Sequence, residues 1–330
     1  MTSSAAASGL ERLGDAFSLT APSKRRRMLV VVNPYATTVS DRLKGLVVHA
    51  LNGRYEVDAV DTQRRDHATD LCLEAAHEGY DVVVAFGGDG TLNEVANGLA
   101  GSDTPLTCLP GGATNVLCRM LGIPNDIVDA TEHLLRIADR WQPRRLDLAK
   151  VNDRHFTFSA GLGLDAAVVE RVDARPRLKA RWREWYFAYA GASTFLRRYV
   201  VNPPRLRVRA GGEEVDGVTA IVQNGDPFSF FGPRPLHVCD GGELDDGGLG
   251  AVLLRRASPV DMPTVLARLF GPAKLKVTGH RRVSSWAGLE GLEISSIDDR
   301  PVHLQVDGDH IGEVTEARFS ITPGGLRVVA

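Results

Sequence analysis

Apolar positions over the first 140 residues switch repeatedly between two periods. The short runs MLVVV (28–32), YEVDAV (55–60), DVVVAF (81–86) and PLTCLP (105–110) read as strands. Between them, residues 41–51 set Leu43, Leu46, Val47 and Ala50 on one helical face, and residues 68–76 are helical with Gly79 as the stop. Strands alternating with helices predict an α/β domain, a mostly parallel sheet with helices on both faces. After Pro143 the texture changes to short alternating stretches, RRLDLAKV (144–151), HFTFSAG (155–161), RLRVRA (205–210), VTAIVQN (218–224), GAVLLRR (250–256), LEISS (292–296), VHLQVDG (302–308) and ARFSITPGG (317–325). Separated by turn residues, they predict an antiparallel sandwich or barrel. The expected division is a disordered tail over 1–27, an α/β domain over 28–143 and a β-sandwich-like domain over 144–321.

At two places a predicted strand gives way to a helix through glycine: GGDGTLNEVANGL (87–99) and PGGATN (110–115). In an open α/β sheet, ligands bind at this carboxyl edge. Glycine permits positive φ and lets a phosphate approach the backbone, and successive amides beside a helix N-terminus form an anion-holding nest. Gly87, Gly88 and Gly90 suit that role in the first loop; Gly111, Gly112 and the Thr114 hydroxyl suit it in the second. Asn33 and Thr62 end the first two strands, so four strand ends face one crevice. Neither GxxxxGK[ST] nor, after the first strand, GxGxxG is present. Asp89 is the oddity, because a carboxylate among phosphate-binding amides repels its ligand unless a divalent cation intervenes. It points to a metal–nucleotide site or to a base for a hydroxyl nucleophile. The plainer alternative is a turn in which Asp89 caps the helix that carries Thr91 and Glu94.

Composition narrows the partners. The 330 residues give room for two domains with separate cores, and a formal net charge of -2 argues against a dedicated nucleic-acid binder. The four cysteines lie far apart without a CxxC pair and read as reduced, buried residues of a cytoplasmic protein. No apolar run approaches the ~18 residues of a membrane span, and the first 23 residues lack the core of a secretory signal. The run Lys24, Arg25, Arg26, Arg27 suits anionic lipid, or is a solvated lead-in.

In chain order, VVNP (31–34), GGDGTLNEVANGL, PGGATN, GLGLDAAVV (161–169), LDDGGL (244–249) and VDGD (306–309) resemble the diacylglycerol kinase catalytic family, particularly its soluble bacterial lipid kinases. The resemblance runs over residues 28–329. It implies an active site in the cleft between the two domains, and a chain end, residues 322–330, that returns to the first. It implies ATP and Mg²⁺, with the nucleotide lined by Asn33, Thr62, Gly87, Gly88, Asp89, Gly90, Thr91, Asn93, Glu94, Gly112 and Thr114. Three departures stand out: Tyr35, Ala36 and Thr37 follow Asn33-Pro34, the second loop reads GATN, and a late DGE motif appears as Asp307-Gly308-Asp309.

Phosphoryl transfer to an alcohol needs a carboxylate to receive its proton. The resemblance makes Asp307 the first choice as base and Asp309 the alternative, with Asp89 holding the Mg²⁺–ATP network. Asp307-Gly308 also reads as a plain type I′ hairpin turn. In GGELDDGGL (241–249) the resemblance implies a structural Mg²⁺ on Asp246 and the main-chain carbonyls of Glu243 and Gly248, against a solvated acidic hairpin. Residues 175–198 carry seven basic side chains and one acid, with Trp182, Tyr186, Tyr189 and Ser193 on one stripe, which suits a lipid headgroup region or core packing. DPFSFFGPRP (226–235) adds apolar rings in a loop beside the cleft. The expected function is an ATP-dependent lipid kinase, diacylglycerol being the default acceptor, with transient membrane contact, no nucleic-acid partner and a homodimer left open. The alternatives are another acceptor (a sphingoid base, another lipid alcohol or NAD) and a nucleotide-binding regulatory protein that has lost catalysis.

Overall fold

A computed structural model describes residues 25–138, 141–164, 166–168, 203–240, 242–272 and 274–330. The first half runs β1 (Arg26–Val32), α1 (Asp41–Leu51), β2 (Tyr55–Asp61), α2 (His67–Glu78), β3 (Val82–Gly87), α3 (Asp89–Leu99), β4 (Leu106–Pro110), α4 (Val116–Met120) and α5 (Ile127–Ile137). Strands β2, β1, β3 and β4 lie side by side in parallel. Every residue of β3 and β4 is buried, so both read as unbroken apolar runs. Ser40 starts α1 by accepting the Leu43 N–H, and Asp126 starts α5 by accepting that of Val128. The inner face of α1 carries Val47 and Leu51, while Leu46, expected there, is 59% exposed. The first strand begins two residues earlier than the apolar run because Arg26 and Arg27 are engaged by the fold. Arg26 stacks on Trp141 and Arg27 on Tyr80, so neither belongs to a free tail.

The second half contains β5 (Arg144–Val151), β6 (Arg154–Phe156), β7 (Ser159–Leu162), β8 (Leu206–Ala210), β9 (Glu213–Gly217), β10 (Thr219–Gln223), β11 (Ser229–Phe231), β12 (Arg234–Leu236) and β13 (Leu249–Leu254). After helix α6 (Met262–Leu269) come β14 (Val283–Leu289), β15 (Gly291–Ser296), β16 (Val302–Val306), β17 (Asp309–Val314) and β18 (Glu316–Val328). An antiparallel sheet ordered β14-β13-β10-β7-β16-β17 packs on the strands β5, β18, β15 and β8. Val208, Val222, Leu253, Ile294 and Leu304 fill the space between, and Phe156 meets Phe319 edge to face at 6.2 Å. This is a sandwich core, built from the alternate inward residues of each strand.

Strand β18 belongs to both halves. Its start pairs with β15, Leu292 opposite Phe319, and its end lies parallel to β4, Val328 beside Leu106. Between the two, the ladder to β5 breaks from Thr322 to Leu326, at Pro323-Gly324-Gly325. Proline has no N–H for the ladder, and Gly324 takes φ 62°, which favours glycine. The stretch 155–161, which alternates like one strand, is divided between β6 and β7. Thr157 and Phe158 leave the ladder there, and their N–H groups turn to the carboxylate of Asp307, at the end of the neighbouring strand β16.

Candidate active site

The loops after β3 and β4 meet backbone to backbone. The Gly111 N–H donates to the Gly87 carbonyl at 2.8 Å. A Cβ on Gly112 would stand 2.8 Å from the Gly88 Cα, and one on Gly111 would stand 2.9 Å from the Gly87 Cα. None of these four glycines has positive φ, so close approach of two chains, not left-handed backbone, is why glycine is required. Asn115 fixes the second loop: its side-chain oxygen accepts the Gly112 N–H at 2.9 Å, and its amide donates to the Gly112 carbonyl at 3.0 Å and to Asn125 at 2.8 Å. At the end of β1, Asn33 donates to the Thr91 hydroxyl at 3.0 Å and accepts the Tyr35 N–H at 3.0 Å. Asn33, Thr62, Gly88, Asp89, Gly90, Thr91, Gly112 and Thr114 all line one cleft. Gly87 stands behind it, against the Thr91 side chain.

Three carboxylates converge on these loops. Asp89 is the first residue of α3 yet caps another helix: its Oδ1 accepts the N–H of Val116, at the start of α4, at 2.6 Å. It thereby ties the two glycine loops together. Burial pushes its carboxyl up to about 7, and the charges of Asp307 and Asp309 add to that, against the pull of the Val116 N–H.

Asp307 and Gly308 join β16 to β17 with φ of 47° and 83°, the two left-handed residues of a type I′ turn. The turn buries Asp307 to 1% exposure. Its Oδ2 accepts from the Asn93 amide at 2.8 Å, the Thr157 N–H at 2.7 Å and the Thr157 hydroxyl at 2.9 Å. Its Oδ1 accepts the N–H groups of Phe158 at 3.0 Å and Ser159 at 3.1 Å. Burial pushes this carboxyl up, while the donated hydrogen bonds hold it down. Five donors thus fall on the two oxygens of Asp307, the first choice of base, which also lines the cleft. Asp309 reaches the loops as well. It lies so close against Gly90 that a methyl group there would overlap its carboxylate.

Other expected contacts also shift. Asn93, 1% exposed, stands behind the cleft and links the lobes. Besides holding Asp307 it donates to the His155 carbonyl at 2.9 Å and accepts from Arg154 Nε at 3.0 Å, and Arg154 pairs with Asp66 at 2.7 Å. Glu94 touches the cleft, but its oxygens accept the N–H groups of Asp66 at 2.9 Å and Ala68 at 3.2 Å, at the start of α2. The turn expected to hold a structural Mg²⁺ is closed by Asp246. Asp246 accepts the N–H groups of Glu243 at 3.0 Å and Gly248 at 3.1 Å, as an acidic turn does by itself. Among the described residues no group of three His, Cys, Asp or Glu converges as metal ligands.

Sequence reasoning passed over Arg154, Thr157 and Asp147. Asp147 is 6% exposed and accepts the Gly247 N–H at 2.6 Å and the Gly324 N–H at 2.8 Å, pinning the acidic turn to the break in β18. The signal was an acid in mid-strand between two buried leucines, Leu146 and Leu148. Residues 1–24 and 175–198 lie outside the described residues.

The cleft continues into a cavity, the two together enclosing about 1910 Å³. Residues 226–235, expected as a loop, form the β11–β12 hairpin, with Phe228 and Phe230 in the cavity wall. Arg119 stacks over Phe230 at 4.5 Å and donates to the Gly232 carbonyl at 2.8 Å. All four cysteines are free and buried. Among the described residues no helix is long and apolar enough to cross a membrane.

Glycine loops at the carboxyl edge of a parallel sheet, faced by carboxylates from a β-sandwich, define a kinase-type phosphotransferase. Residues 27–151 match the family described as Diacylglycerol kinase catalytic domain, and residues 158–330 match the YegS C-terminal NAD kinase beta sandwich-like domain. The chain belongs to the diacylglycerol kinase catalytic-domain family and carries the YegS-type second half. Relatives named diacylglycerol kinase in Staphylococcus aureus strains bovine RF122 / ET3-1 and MRSA252 are each 28% identical over 296 residues, covering 88% of this chain and 88% of theirs. A crystal structure described as a diacylglycerol kinase from Bacillus anthracis str. Sterne has a similar fold. Its TM-score is 0.66 at 20% identity, over 93% of this chain and 97% of that one.

Proposed function

We propose that this chain transfers the γ-phosphoryl group of ATP to a lipid hydroxyl, with diacylglycerol as the default acceptor and phosphatidic acid as product. The observation that carries this reading is the cavity. It begins among the glycine loops and continues into a chamber walled by Phe228, Phe230, Leu236, Val238, Val252 and Leu254. Acyl chains suit such walls, whereas NAD would leave its polar groups unpaired there.

The main-chain N–H groups around Gly88, Gly90 and Gly112, with the Thr114 hydroxyl, suit the nucleotide phosphates. Asp309, against the first turn of α3, takes the proton of the acceptor hydroxyl as its oxygen attacks the γ-phosphorus and ADP leaves. Asp307 holds the turn that aims Asp309. A divalent cation fits this set of donors, because burial pushes the Asp89 carboxyl up and its oxygens stand close to two further carboxylates, Asp307 and Asp309, whose charges push it up further. Asp89 would hold Mg²⁺, directly or through water, and the ion would neutralise charge on the phosphates.

The test is transfer of label from ATP, with Mg²⁺, to vesicles containing diacylglycerol, monoacylglycerol or a sphingoid base. Asp309→Asn should abolish transfer and leave ATP binding within about threefold. ATP binding without transfer to any lipid overturns the kinase reading, and full activity in Asp309→Asn moves the base elsewhere.

A further inference from the structure

We propose that the outer side of α6, together with the tip of the β11–β12 hairpin, is the surface by which this protein docks on an anionic lipid bilayer, with lipid reaching the cavity across it. The passage of lipid rests on the lipid-kinase reading above; the docking does not.

Helix α6 has no buried residue. Met262, Val265 and Leu269 face the cavity, and the lining continues over Leu266 and Phe270 at its rim. Pro263, Leu266, Ala267 and Phe270 are all exposed, at the i, i+3, i+4, i+7 spacing of one helical face. The helix thus carries one broad apolar stripe that runs from the cavity wall over its rim to solvent, with Thr264 and Arg268 on the opposite side. The Phe270 ring meets Phe231 of the hairpin edge to face at 5.6 Å, so the exposed rings form one patch. Val260, 78% exposed, precedes the helix; Leu275, 46% exposed, follows it beside Gly271. A contiguous exposed apolar surface at the mouth of an apolar cavity marks an interaction site.

Charge decides what covers it. Residues 255–282 contain seven lysines and arginines and one acid, Asp261, in a chain whose formal net charge is -2. Asp261 is taken by Arg281 and Arg282, and Lys276 by Asp240, while Arg255, Arg256 and Lys274 are exposed. A second copy related by a two-fold axis would set this basic surface against itself. Residues 175–198, with seven basic side chains and one acid, carry the same sign. An anionic bilayer complements both properties, taking apolar rings below the headgroups and cations among the phosphates. The patch is also continuous with the apolar chamber, so a lipid passing over the rim need not cross water.

The test uses the full chain without ATP and sedimentation with phosphatidylglycerol–phosphatidylcholine vesicles that lack diacylglycerol. Val260→Gln with Leu275→Gln should weaken binding about tenfold or more, and Arg255→Glu with Lys274→Glu about a hundredfold. All four residues are exposed and outside the cavity lining. ATP binding should therefore be unchanged, and turnover on a short-chain diacylglycerol dispersed in water should stay within about twofold. The proposal is overturned if wild-type protein ignores anionic vesicles or if both double variants bind as wild type does. It is also overturned if light scattering finds a dimer that the apolar variant splits, which would assign the face to a second copy. Vesicle binding lost in the variants while no lipid is ever phosphorylated upholds the docking surface and refutes the kinase reading alone.

Discussion

Asp89 gives the folded protein a pH dependence that an isosteric amide should remove. Its carboxyl is pushed from 3.8 up to about 7, by burial first and then by the neighbouring aspartates. The folded state therefore keeps a proton that the unfolded chain releases above its own pKa. Stability from this group is fully present below about pH 4 and is lost as pH rises to about 7. At about 1.4 kcal/mol for each pH unit, the interval amounts to ~4 kcal/mol. That is an upper value, because the side chain is partly open to the cleft. Asp89→Asn keeps an oxygen for the Val116 N–H and carries no charge, so above pH 7 it should be ~2–4 kcal/mol more stable than wild type and should match it at pH 4. Urea unfolding at intervals from about pH 4 to 8.5 measures this, and repeating it with Mg²⁺–ATP should stabilise wild type more than the variant. Parallel stability curves for the two proteins across that range, or an amide variant weaker than wild type at pH 8, would refute the argument.

Two further substitutions separate scaffold from chemistry. Asp307→Asn should lower stability by about 3 kcal/mol or more, because either orientation of the amide turns its NH₂ toward at least two donors; a melting temperature unchanged from wild type would contradict the bonding described for Asp307. Gly90→Ala should cost little stability, since alanine is helix-compatible, yet displace Asp309 and lower kcat about a hundredfold with ATP binding retained. A kcat within a factor of two of wild type would place Asp309 outside the chemistry.

Much of the architecture was legible because period carries it. Strands β1, β3 and β4 carry apolar runs set by burial on both faces, the edge strand β2 alternates with only Tyr55 buried, and the later strands alternate because one face of each meets the sandwich core. Helix α6 was not announced, because it is only eight residues long and its apolar stripe sits between stretches that read as strands and turns. The break between β6 and β7 was equally silent: Thr157 and Phe158 continue the alternation while their N–H groups serve Asp307. In the site, the glycines were legible as a loop, but their reason was not, since sequence does not say that two loops touch. Asp307 shows the same limit. Its motif was visible, and so was its turn, but the five donors come from residues as far as 214 positions away.

The strand shared by the two sheets also governs the order in which the protein can be made. Strand β4 is buried along its whole length, and at Leu106 its outer edge is met by the end of β18, where Val328 lies alongside and the Val329 N–H donates to the Leu106 carbonyl. During synthesis the first lobe emerges early with this end of β4 unpaired on an apolar edge, and stays so until residues 326–329 follow. The nascent first lobe thus keeps this end of β4 open while the sandwich strands are made, and it closes only when β18 arrives.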